Sequence, residues 1–356
     1  MEKKDLGFVE FISYNGKIYF DDIFTGNIVC LDLAEDVFEV LSQGNQYGKM
    51  QYGALKCSGN NLIFAPRNAT NILIYNIETD KMGSVDLDLE KIDGKPLFLN
   101  IVSHENQLYF IPGKYASIIT LNNKTFATEY IGVNKEIGRM FSSCNGWIEH
   151  NKICVLANDG TIVKADCEKG TIEEKRISMI GLTPLTSLDY GEKQIFAGFG
   201  PKIMILAKEE DEIQWIDTYK NCEEPKEGYC NLLCIDQEIY MVVINQPKIY
   251  KLSLQTKEIS QFIDFEWGRK DLTIWNKFTK CDVVGAGVLG KSLLIYSTVR
   301  NAILEINVDT KEVRYHDYFR QEETNRNKRI QEFIKNAGTT IEGAISLREF
   351  LEALIY

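Results

Sequence analysis

Five basic residues recur at one phase of this sequence: Lys49, Lys95, Arg139, Lys226 and Lys280. They follow Gly48, Gly94, Gly138, Pro225 and Thr279. Each precedes, by thirteen or fourteen residues, an apolar run that begins at Leu62, Leu108, Ile153, Ile239 or Leu293. The sixth member departs from the pattern, with Gly181 followed by Leu182. A second series, Arg67, Lys114, Lys202, Lys248 and Arg300, stands between that run and the next one. Bases repeated at a fixed phase and brought round one axis make a ring that focuses an anion. The chemistry they imply is binding of an anionic small molecule, a phosphorylated or acidic sugar, or an acidic partner protein. A turn consensus with solvated lysines would produce the same Gly-Lys step, so both readings stand at this point.

Residues for catalysis are sparse. The three histidines, His104, His150 and His316, fall in different repeats, two of them at strand ends, and read as structural or exposed. No Gly-x-Ser-x-Gly nucleophile turn and no phosphate-binding loop occurs. Cys222, Cys230 and Cys234 have no nearby histidine and no Cys-x-x-Cys pair exists, so no metal and no cofactor are expected. Trp267 and Trp275, two of the four tryptophans, sit in a long insertion. They read either as a lid with sugar-stacking platforms or as an insertion packing its own tryptophans on the rim. The first option opens the alternative of a carbohydrate-active lyase or hydrolase.

The elements that must position these residues are short strands. Gly59 to Leu87 holds three apolar runs separated by Asn, Pro, Asp and Gly, the mark of antiparallel strands and turns. The first run recurs as Ile18-Tyr19-Phe20, Leu62-Ile63-Phe64, Leu108-Tyr109-Phe110, Ile153-Cys154-Val155, Ile195-Phe196-Ala197, Ile239-Tyr240-Met241 and Leu293-Leu294-Ile295. A second run follows each time, from Ile28-Val29-Cys30 to Ile303-Leu304-Glu305. A period of about 40–50 residues with several strands per repeat predicts propeller blades. Seven units fit, each with an inner strand A, then B and C, then an outer strand D. The A strands are expected near Phe8–Ser13, Tyr52–Cys57, Phe98–His104, Phe141–Asn145, Leu185–Tyr190, Tyr229–Ile235 and Val283–Leu289. Several C–D turns carry Thr beside a charge, as in Glu78-Thr79-Asp80-Lys81 and Asp309-Thr310-Lys311-Glu312.

With these repeats the chain resembles the kelch-like and quinoprotein-like seven-bladed propellers over about residues 7–319. The resemblance implies an all-β, seven-bladed β-propeller of four-stranded antiparallel blades. It assigns no subfamily, because the kelch Gly-Gly doublet and the Trp-Asp dipeptide are absent.

Two domains follow: the propeller over 1–319 and a helical tail over 320–356. Gln321–Asn336 reads as one helix, and a second starts at the capping box Ser346-Leu347-Arg348-Glu349. Leu347, Phe350, Leu351, Leu354 and Ile355 make an apolar stripe that should pack on the propeller. Blade one carries its own D strand, so closure is expected as a contact between blades one and seven with no shared blade. The alternative is that Met1–Phe11 completes the last blade. A net charge of −11 argues against a general nucleic-acid binder. No stretch approaches a membrane span or a signal peptide. Nine cysteines, mostly in strand contexts, fit free thiols. The expectation is a cytoplasmic, monomeric binding or scaffold module.

Overall fold

The computed structural model describes residues 6–42, 51–91, 98–113, 117–132, 146–157, 159–166, 168–169, 171–209, 212–218, 228–244, 246–266, 283–297, 302–316 and 319–321. Their strands form seven sheets, each a meander in chain order. Blade one is β1 (Ile12–Tyr14), β2 (Lys17–Asp21), β3 (Ile28–Asp32) and β4 (Val37–Ser42). Blade two is β5 (Tyr52–Ser58), β6 (Asn61–Pro66), β7 (Asn71–Asn76) and β8 (Lys81–Asp86). Blade three is β9 (Phe98–His104), β10 (Gln107–Pro112), β11 (Ser117–Asn122) and β12 (Thr128–Gly132). Blade four is β13 (Trp147–Glu149), β14 (Lys152–Leu156), β15 (Thr161–Asp166) and β16 (Ile172–Arg176). Blade five is β17 (Thr183–Tyr190), β18 (Lys193–Phe199), β19 (Lys202–Ala207) and β20 (Ile213–Asp217). Blade six is β21 (Tyr229–Ile235), β22 (Glu238–Val243), β23 (Lys248–Leu252) and β24 (Ile259–Asp264). Blade seven is β25 (Val283–Leu289), β26 (Ser292–Ser297), β27 (Ala302–Asn307) and β28 (Val313–His316). The protein is therefore an all-β, seven-bladed β-propeller of four-stranded antiparallel blades.

The core is divided among the seams. The B and C strands are apolar on both faces, because each blade is covered on both sides by a neighbour. Seven clusters result, one for each pair of adjacent blades. The seam of blades one and two, for example, packs Tyr19 and Cys30 against Leu62, Phe64 and Leu73. Each such side chain stabilises by roughly 1.5–3 kcal/mol when fully buried.

Turn chemistry explains the C–D connections. Asn76 Oδ1 accepts hydrogen bonds from Thr79 N and Oγ1, and Asn307 Oδ1 does the same for Thr310. The residue after each Thr, Asp80 or Lys311, takes a left-handed backbone with φ of 52° or 60°. An Asx cap followed by one left-handed residue turns the chain tightly.

Two strand expectations are corrected. Phe141–Asn145 lies outside the described residues, and the blade-four A strand is β13. His150 and Asn151 both have positive φ, which makes a two-residue hairpin and pairs Glu149 with Lys152. The blade-one A strand, expected near Phe8–Ser13, is the shorter and later β1, which shares Ile12 and Ser13 with that span. Phe8 is instead buried in the seam of blades seven and one. Its carbonyl comes so close to Gly285 that a Cβ there would lie 2.5 Å away.

Closure also differs from expectation. Blade one has its own D strand, as the sequence predicts, but its sheet carries a fifth strand. β29 (Arg320–Gln321) runs parallel to β4, with Arg320 opposite Val37 and Gln321 opposite Phe38. The chain beyond blade seven thus covers part of the exposed edge of blade one, where unpaired backbone groups seek partners. His316 ties the same seam: Nδ1 lies 2.6 Å from Asp36 Oδ1 and Nε2 lies 3.1 Å from Glu305 Oε2. Phe319 is buried beside Phe38. The expected tail helices lie outside the described residues.

Candidate functional site

In a four-stranded meander the A–B and C–D turns share one face, and the B–C and D–A loops share the other. The second face surrounds the mouth of the central channel. Of the residues expected to bind there, Lys49, Lys95, Lys114, Arg139, Lys226, Lys280, Arg300, Trp267 and Trp275 lie outside the described residues. Arg67, Lys202 and Lys248 are described, and all three stand in B–C positions on this face.

Each of these bases has an acid nearby. Lys202 sits opposite Asp217 across the C–D pair of blade five, and Lys248 opposite Asp264 in blade six. Opposite charges at such positions attract across the strands. The Lys202 stem packs beneath Gly181, where a Cβ would meet its Cδ at 3.2 Å, and its Nζ lies 5.7 Å from the centre of the Trp215 ring. Gly181 is thus a packing requirement as well as a left-handed turn residue, with φ of 82°.

Arg67 is different. Its backbone N–H donates to Gln51 O at 2.7 Å, which fixes the B–C loop of blade two against the strand before it. Its stem lies along Gly53, where a Cβ would come within 3.2 Å of Arg67 Cβ. Its guanidinium feels the charges of Asp21 and Glu10 without reaching ion-pair distance to either. Burial lowers the pKa of Arg67, and the two acids oppose that shift.

Asp21 ends β2 and is only 5% exposed. Its Oδ2 accepts from Tyr52 N at 2.7 Å, while its Oδ1 is buried with no partner. Burial pushes its carboxyl up to about 7, against the pull of the Tyr52 and Gln51 amides and of Arg67. Glu10 accepts from Leu55 N at 3.3 Å through Oε2 and is pushed up to about 7, again mainly by burial. Both acids line a cavity of about 10 Å³ with Val9, Ile23, Tyr52 and Leu55. That is close to the room needed by one water molecule. Asp22, next in sequence, serves structure: it caps the turn through Gly7 N and Thr25.

Asp21 had a sequence signal that the phased bases overshadowed. At the fourth position of the B run, six blades carry Ala65, Ile111, Leu156, Gly198, Val242 and Tyr296. Blade one carries Asp. An ionisable residue in an otherwise apolar register marks a buried charge. Glu10 carries no such signal, because it precedes β1 in an irregular segment.

The same face holds every exposed large apolar side chain among the described residues. Leu89 follows β8, Ile180 precedes β17, and Phe199 ends β18, at 38%, 75% and 42% exposure. His104 and His150 lie at A–B turns on the other face, and His316 lies in the closing seam. No histidine stands at the mouth. On the A–B and C–D side, a groove of about 470 Å³ runs between blades six and seven. Its charges are largely matched: Lys251 pairs with Glu238 at 2.8 Å, and Lys311 lies over the Phe262 ring.

Neither a protein-family model nor a curated protein matches this sequence. Solved structures share its architecture. The β-propeller domain of Cps50 (Swd1) from Myceliophteria thermophila superposes with a TM-score of 0.62 at 9% identity, covering 86% of this chain and 98% of that one. The likeness is one of fold. The computationally designed Ika8 protein gives 0.57 at 11% identity, covering 90% of each chain. BamB from Moraxella catarrhalis gives 0.51 at 9% identity, covering 88% of this chain and 89% of that one. At such identities the comparison carries the architecture and no activity.

Proposed function

We propose that this protein is a non-catalytic binding or scaffold module that takes its ligand or partner on the B–C and D–A face. The observation that carries the reading is the placement of Leu89, Ile180 and Phe199, all exposed and all on that face. Ile180 and Phe199 both stand at blade five, and the exposed apolar surface they offer is available to a partner there. The bases of the same face, Arg67 among those described, favour an acidic ligand: an acidic segment of a partner protein, or an acidic or phosphorylated sugar. Lys49, Lys95 and Arg139 belong to the same proposal. The test is a titration of candidate acidic peptides and sugar phosphates against the wild type and a Lys49/Lys95/Arg139 triple-alanine variant. The reading expects the variant to bind at least tenfold more weakly, a loss of about 1.4 kcal/mol. Equal binding by both proteins removes the anionic ligand from the proposal.

A further inference from the structure

The cluster between blades one and two is built unlike the close charged pairs of blades four and five. Lys164 and Glu149 in blade four are both nearly buried, and they meet at 2.7 Å. Lys208 reaches Asp189 at 2.6 Å. Arg67 has two acids in its field and bonds to neither. Asp21 keeps an oxygen buried and unpartnered beside a water-sized cavity. A charge arrangement this poorly satisfied is a poor way to hold two blades together. It is suited to changing state.

We propose that Glu10 and Asp21 form a proton gate for Arg67: with both carboxyls protonated the guanidinium is open to an anion at the channel mouth, and with both ionised its charge is cancelled. This rests on the reading of that face as a site for acidic ligands. The groups that face the two carboxyls support it. Arg67 is the base in their field, from the B–C loop of blade two. Asp22, from blade one, adds negative charge next to Asp21. The Tyr52 hydroxyl turns away to Asn71 Oδ1 at 2.9 Å. Val9, Ile23 and Leu55 supply the apolar wall that disfavours ionisation. The Leu55 and Tyr52 amides hold each carboxyl in place whichever state it is in. Both groups change state near neutral pH. The ligand is then captured with uptake of protons, and each binding event favours the other by the same factor.

The test uses sulfate as the probe, because it stays dianionic across the range of interest. Its affinity is measured by calorimetry at about pH 5.5 and about pH 8.5, on either side of the two carboxyls. The wild type should bind at least about tenfold more tightly at the lower pH, within the usual range of coupling between sites. Glu10→Gln/Asp21→Asn should bind equally at both, and Arg67→Gln weakly at both, each with its melting transition checked. A pH dependence that persists in the Glu10→Gln/Asp21→Asn variant overturns the gate. A wild type that binds sulfate equally at both pH values overturns the gate and leaves the anion site standing. No sulfate binding at either pH overturns both. Should the variants fail to fold, wild-type calorimetry near pH 7 in two buffers of different ionisation enthalpy decides the matter. Proton uptake on binding supports the gate, and none overturns it.

Discussion

The two faces of this propeller are built to different rules. On the A–B and C–D side the hairpins are short and blade is tied to blade. His104 Nε2 meets Asn151 Oδ1 at 3.0 Å, Asn123 donates to Ser58, Tyr190 donates to Gln237 O, and Lys291 pairs with Asp236. On the B–C and D–A side the described residues show exposed Leu89, Ile180 and Phe199 and the incompletely paired set of Glu10, Asp21 and Arg67. One face holds the ring together, and the other holds what a ring of blades can present. Buried polar atoms without a partner occur on both sides, at Gln107 and Asn123 as well as Asp21, but the one acid among them, Asp21, stands on the B–C and D–A side.

The largest expected effect lies at the closing seam. Replacing His316 with Ala leaves Asp36 and Glu305 facing each other without the ring between them. Each hydrogen-bond partner left without the buried ring costs about 1–3 kcal/mol. Urea unfolding should show a loss of that order, and a loss below about 1 kcal/mol would mean that β29 and Phe319 carry closure without it.

Next comes a pH effect at the opposite kind of seam. Asp21 and Glu10 are pushed up to about 7 in the fold. Both stay protonated there at pH values where the unfolded chain has already released their protons. Their contribution is full below about pH 4, falls as pH rises towards about 7, and is lost above it. For the deeply buried Asp21 the fall is on the order of a few kcal/mol. Melting temperatures across this range should decline in the wild type and decline less in Glu10→Gln/Asp21→Asn. Parallel curves would place the titration elsewhere.

Smaller still is the effect of filling the space beside Arg67. Gly53→Ala brings a methyl group within 3.2 Å of the Arg67 stem and 3.1 Å of Phe98 O. Overpacking of this kind costs about 1–3 kcal/mol and should move the guanidinium, so sulfate affinity should fall together with stability. An affinity equal to wild type would show that the stem position is not critical.

The smallest effect on stability should come from the exposed apolar residues. Ile180→Ser and Phe199→Ser should each stay within about 0.5 kcal/mol of wild type in urea unfolding while weakening partner binding. A substantial loss of stability would make them packing residues rather than a contact surface.

Much of the first face was legible in the sequence, because tight turns need particular residues. The Thr-and-charge pairs of the C–D turns and the apolar B runs give the blades and their number directly. Phe141–Asn145 lies outside the described residues, and the hairpin at His150 and Asn151 sets the register of β13. The fifth strand of blade one was invisible: Arg320 and Gln321 have no strand character, and backbone pairing, helped by the Arg320 guanidinium donating to Glu35 O, recruits them. Of the predicted bases only Arg67, Lys202 and Lys248 are described, and the acids near them come from the neighbouring strand or blade. Asp217 and Asp264 could be paired with Lys202 and Lys248 only once C–D register was known. Asp21 was readable as the one acid in an apolar register, while Glu10 owes its role to tertiary placement.

The most direct measurement is anomalous diffraction from crystals soaked in selenate at about pH 5.5, below the range where Glu10 and Asp21 change state. The account predicts selenium density on the B–C and D–A face, within hydrogen-bond reach of the Arg67 guanidinium. Density confined to the groove between blades six and seven, with none beside Arg67, would contradict it.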